Sequence, residues 1–120
     1  MEKIEEREWG GSGWADSGRN VFYNPENCGL DLLATAEEDE AYEFNYCCLW
    51  RDLESGRYFM AADAGCSCPI PFEDVRSVSD LTEVMNRREA KEFLLACHGD
   101  YTPSSMMALL SKIEEELPRW

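Results

Sequence analysis

Residues 42–50 (YEFNYCCLW) constrain the fold more than any other stretch of the chain. Tyr42, Phe44, Tyr46, Cys48 and Trp50 alternate there with Glu43, Asn45, Cys47 and Leu49. A period of two belongs to a strand, whose successive side chains point to opposite faces. A helix would scatter the same aromatics around its circumference. Residues 52–56 (DLESG) then supply a turn containing glycine, and residues 57–63 resume as a strand with Tyr58, Met60 and Ala62 on one face. The two segments predict a β-hairpin. An Asp52–Arg57 ion pair across it would be worth little if exposed. Phe59 opposes Tyr58, so the aromatics cannot all share a face. Phe59 with Leu49 is expected on the second face, under the helices.

The flanking residues extend this sheet. Residues 21–23 (VFY) read as a short strand, and residues 24–27 (NPEN) as a turn, because Pro presets φ and Asn tolerates turn geometry. Residues 29–36 read as a strand with Leu30, Leu32, Ala34 and Ala36 on one face, and residues 37–40 as an acidic connection. Connections this short exclude parallel crossovers, so the sheet is an antiparallel meander. Residues 64–72 (AGCSCPIPF) read as a loop, since Pro69 and Pro71 suit neither a helix interior nor a central strand.

Beyond the loop the period lengthens. Val78, Leu81, Val84 and Met85 predict a helix capped by Ser79. Ala90, Phe93, Leu94 and Cys97 make the stripe of a second helix, stopped by Gly99. Thr102 and Pro103 open another, with Met106, Leu109, Leu110, Ile113 and Leu117 as its apolar stripe and Pro118 as its end. The expected fold is α+β: a three- to four-stranded antiparallel β-meander followed by two to three C-terminal helices packed on one face. Residues 1–20, broken by Gly10, Gly11, Gly13 and Gly18, read as an irregular arm, and residues 21–120 as a single domain.

Charge bounds the partners. The chain carries 25 acidic residues against 11 basic ones, a formal net charge of −14. Non-specific nucleic-acid binding draws on Lys and Arg displacing counterions from phosphates, so direct nucleic-acid binding is not expected. Docking to an anionic membrane is disfavoured for the same reason, and no apolar run approaches the ~20 residues of a membrane span. A basic protein is the expected partner. The start of the chain lacks an apolar signal region, so a cytoplasmic location with free thiols is expected.

The densest acid is Glu37, Glu38, Asp39, Glu40 and Glu43, the candidate partner-binding cluster. Cysteine offers an alternative. Cys28, Cys66, Cys68 and either Cys97 or His98 sum to the four ligands of a zinc-stabilised structural or adaptor module. Against that, one residue separates Cys66 from Cys68, where paired zinc ligands usually have two to four between them. His98, the lone histidine, reads as a cation favoured by a helix C-terminus. Asp63 with Glu73 and Asp74 is the nearest approach to a paired-carboxylate site, and it reads as solvated carboxylates flanking a loop. No catalytic constellation and no phosphate-binding loop stand out, so a non-enzymatic protein without cofactor is expected.

Three segments carry a resemblance. They are residues 21–26 (VFYNPE) with 28–30 (CGL), residues 50–52 (WRD) with 55–58 (SGRY), and residues 63–69 (DAGCSCP) with 71–72 (PF). Over residues 19–75 the chain resembles a family of small acidic proteins carried by bacteriophages of actinobacteria. That family has no assigned activity and transfers no catalytic residue. The resemblance implies a phage-encoded protein acting on host machinery in a bacterial cytoplasm.

Overall fold

The computed structural model describes residues 19–40, 43–66, 71–97 and 103–119. Four strands form one antiparallel sheet in sequential order: β1 (Leu30–Glu40), β2 (Glu43–Asp52), β3 (Tyr58–Cys66) and β4 (Thr82–Val84). Two helices follow, α1 (Arg87–Cys97) and α2 (Pro103–Glu116). The fold is α+β, as the sequence pattern requires.

β2 lies inside the sheet, and both of its faces are buried. Cys48 and Trp50 enter one core with Val21, Cys28, Leu30, Phe59, Phe72, Val78 and Leu81. Cys47 and Leu49 enter a second core with Ala36, Met60, Val84, Leu94, Leu109 and Ile113. The helices cover the second core. The first is roofed by the chain before β1 and the chain between β3 and β4. Trp50 is fully buried, and its indole N–H donates to the Val21 carbonyl at 2.8 Å. Removing about 200 Å² of indole surface from water contributes on the order of 5 kcal/mol, an upper figure for a compact unfolded chain.

The register corrects several expectations. Phe59 pairs with Trp50 and Leu49 with Met60, so Phe59 and Leu49 lie in different cores rather than on one face. A bulge between Leu32 and Ala34 shifts the β1–β2 ladder by one residue. Leu30 and Leu32 therefore face the first core, whereas Ala34 and Ala36 face the second, because an extra residue exchanges the faces of everything after it. Residues 37–40 are not a connection; they continue β1 in register with β2. β3 likewise runs on through Cys66, three residues into the expected loop.

Residues 21–23 form a turn, not a strand. Asn20 captures them: its side-chain oxygen accepts from the N–H groups of Phe22 (2.7 Å) and Tyr23 (2.9 Å). Those donors are then unavailable to a sheet. Asn20 is itself buried and belongs to the folded domain, not to the arm; the rest of the expected arm, except Arg19, lies outside the described residues. A single 3-10 turn, Pro25–Cys28, leads into β1 through Gly29 at φ 76°.

Residues 78–85 do not form a helix. Asp80 accepts from the N–H groups of Arg76 (2.9 Å) and Ser77 (3.2 Å), which closes a short 3-10 turn, Val78–Asp80, led by Ser77 and not Ser79. The chain then extends as β4. Val78 and Leu81 reach the first core and Val84 the second, while Met85 is left exposed. Among the described residues the α-helices number two. α1 is capped by Asn86, whose side-chain oxygen accepts the Glu89 N–H at 2.9 Å. α2 buries Leu109 and Ile113, and Leu117, just past its last residue, is buried as well. Gly99 and Thr102, the expected stop and cap, lie outside the described residues.

Candidate protein-docking surface

The acidic cluster is a strand feature. Glu37, Glu38, Asp39 and Glu40 stand opposite Tyr46, Asn45, Phe44 and Glu43 respectively. All five cluster residues thus gather at one end of the β1–β2 hairpin, four of them on the edge strand β1 and Glu43 on β2. Glu40 stands in register with Glu43, and like charges directly opposite one another weaken a strand pair.

An aromatic row lies beside the acid. The rings of Phe44 and Tyr46 stack at 5.2 Å, and those of Tyr46 and Phe22 at 5.0 Å and nearly parallel. Tyr23 meets Phe22 edge-on at 5.2 Å and is 60% exposed. Glu37 and Asp63 are the cross-strand neighbours of Tyr46 on its two sides. That register places both on the Tyr46 face, the side on which Cys48 is buried. Burial above all drives that thiol's pKa upward, the Thr35 hydroxyl at 3.5 Å lowers it, and the charges of Cys47, Glu37 and Asp63 raise it further. Phe44 is buried, so the surface offers the half-buried Phe22 and Tyr46 and the exposed Tyr23 beside the acidic strand end, a combination suited to the guanidinium and ammonium groups of a basic protein.

The sequence brought out the acids and the row members Phe44 and Tyr46, but not Phe22 and Tyr23 as their partners. Those two join only because Asn20 folds their segment back over the sheet. The Asn-x-Phe-Tyr spacing at residues 20–23 was the available signal. Asp63 turns out to be structural. One oxygen accepts the Ala64 N–H at 3.0 Å and the other the Phe72 N–H at 2.7 Å, which holds buried Phe72 at φ 61°. Arg57 sends its guanidinium to Glu83 of β4, while Asp52 turns a carboxylate oxygen to the Ser55 N–H at 2.8 Å within the hairpin turn.

The cysteines of the zinc alternative are dispersed. Cys28 is buried in the first core, beneath the roof formed by the N-terminal turn. Cys97 ends α1 on the helical side of the sheet, close enough to Cys47 to raise its pKa. Cys68 and His98 lie outside the described residues, and so does any Cys–His pairing through them. Among the described residues no three His, Cys, Asp or Glu side chains gather closely enough to hold a metal ion. No helix there is long and apolar enough to cross a membrane.

A family model described as a domain of unknown function (DUF7574) matches residues 19–118, nearly the whole chain. No curated protein and no solved structure matches.

Proposed function

The chain belongs to this domain family, and we propose that it is a non-enzymatic accessory protein that binds a basic protein through the acidic end of its β1–β2 hairpin. The observation that carries the reading is the strand conformation of residues 37–40. A strand advances about 3.4 Å per residue and alternates faces, so Glu37 and Asp39 take positions on one face about 7 Å apart, and Glu38 and Glu40 take the same spacing on the other. Double-stranded DNA likewise presents regular rows of negative charge. A run of acids in a loop would have no such spacing. The hairpin edge thus supports a decoy role, with carboxylates standing where a nucleic-acid-binding protein expects phosphates, and the aromatic row as anchor. The resemblance to actinobacteriophage proteins supports the setting: a phage product acting in the host cytoplasm on a host protein.

The test is affinity purification of the tagged protein from actinobacterial lysate at low and high salt, alongside the variant Glu37→Lys/Glu38→Lys/Glu40→Lys. A stoichiometric basic partner, retained at low salt, released at high salt and absent from the variant, is the expected result. Equal recovery of that partner by the variant would overturn the assignment of the site.

A further inference from the structure

β1 is the first strand of the sheet, and among the described residues no strand lies beyond it. Past the bulge at Leu32/Ala34 its ladder with β2 is regular, one residue to one residue from Ala34↔Leu49 to Glu40↔Glu43. α2 packs against the face of β1 that carries Ala34 and Ala36. A long, regular edge strand is a template for another strand, and proteins ordinarily blunt it with charge, proline or a cover.

Here the charge is of one sign and sits at the end where the ladder is most regular. A second copy pairing antiparallel along the same edge with residues 37–40 in register would set them against their own carboxylates, and like charges opposed across a strand pair are destabilising. Self-addition in that register is therefore penalised. An extended segment rich in Lys or Arg meets no such penalty: its main chain completes the edge and its cations lie across the strand from the carboxylates.

Resting on the acidic-docking reading above, we infer that the β1 edge receives an extended basic segment of the partner protein by β-strand addition. Main-chain pairing supplies the register, and the acids of residues 37–40 select the sign of the incoming strand. Surface attraction alone would leave the peptide's backbone N–H groups irrelevant. Strand addition makes them essential.

The probe is the capped peptide (Lys-Val)₄, compared with the same peptide N-methylated at its fourth and fifth residues. Two adjacent N-methyl groups block both edges of the peptide without changing its charge. Each is titrated into the full-length protein, with amide hydrogen exchange followed along β1. The expected result is a roughly tenfold or greater loss of affinity on N-methylation. The unmethylated peptide alone should slow exchange at alternate amides of residues 35–40. Equal affinities of the two peptides would overturn strand addition and leave charge-driven docking standing. Failure of the unmethylated peptide to bind would also overturn it. Wild-type affinity of (Lys-Val)₄ for Glu37→Lys/Glu38→Lys/Glu40→Lys would remove the acidic-docking reading and this inference with it.

Discussion

Asn20 is a small polar residue in a core position, 1% exposed, and every bond it makes has a consequence. Its Nδ2 donates to the Pro71 carbonyl at 2.8 Å, 51 residues away, while Oδ1 holds the turn at Phe22 and Tyr23. One side chain thus ties the two segments that roof the first core. Leucine in its place would leave three partners unsatisfied, so Asn20→Leu should lose about 2–4 kcal/mol in urea unfolding. Asn20→Asp, which keeps the acceptor and loses the donor, should fall between. A loss under ~0.5 kcal/mol for Asn20→Leu would remove the staple from the account of stability. The paired thiols at the sheet centre make a second prediction. Burial, and secondarily the neighbouring Cys97, push the Cys47 thiol up to about 12, and Cys48 is raised further for the causes given above. Unfolded thiols ionise near pH 8.5–9. Above that pH the unfolded chain loses protons that the folded chain retains, so stability falls as pH rises toward 12. Each thiol contributes a slope of about 1.4 kcal/mol per pH unit. Cys47→Ala/Cys48→Ala should flatten this part of the stability–pH curve, whatever it does to stability at neutral pH. An unchanged slope would show that the two thiols ionise alike in both states.

α2 ends on an arginine from α1. Arg87 donates from Nε to the Leu117 carbonyl at 2.9 Å and from Nη2 to the Glu114 carbonyl at 2.6 Å, and its own N–H reaches Pro118 at 2.8 Å. Those carbonyls sit at the end of the helix, where no intrahelical donor remains, and a cation there also meets the negative end of the dipole. Arg87→Met should therefore cost about 1–3 kcal/mol and speed amide exchange in the last turn of α2. Arg88→Met removes only an exposed pair with Glu92 and should change stability by less than ~0.5 kcal/mol. Equal effects would assign the cap no special role. Which elements can be read from sequence follows from how local their cause is. The hairpin, α1 and α2 were legible because their side chains repeat with the period of one element. β4 was not. Val78, Leu81 and Val84 keep helical spacing, yet the Asp80 carboxylate draws the N–H groups of Arg76 and Ser77 into a tight turn and the chain leaves it extended. The bulge near Leu33 was silent because residue identity does not reveal which of two adjacent leucines is the inserted one. The acidic site was legible as a cluster but misread as a connection. Four acids in a row look like loop by composition, and only pairing with the strongly patterned β2 makes them a strand.

At the scale of the molecule the charge is unevenly placed. Residues 87–119, the helical part, carry six acids against five bases, whereas residues 37–50 carry five acids and no Lys or Arg. A charge that served solubility alone would gain nothing from crowding onto one end of one hairpin, and Glu40 opposite Glu43 works against the strand pairing that holds that end together. Sites kept for binding commonly lower stability in this way. The consequence is measurable without knowing the partner. Glu37→Gln/Glu38→Gln/Glu40→Gln keeps size and hydrogen-bonding capacity while deleting three charges. In low salt it should be more stable than the wild type by about 0.5–1.5 kcal/mol, since each relieved like-charge pair is worth a few tenths to one. In 0.5 M salt the difference should shrink toward zero, because screening shortens the reach of exposed charges to a few ångströms. Thermal unfolding of both proteins across a salt series reads this directly. A variant less stable than the wild type at every salt concentration would mean that the acids hold the hairpin together. The reason for their crowding would then lie in folding and not in recognition.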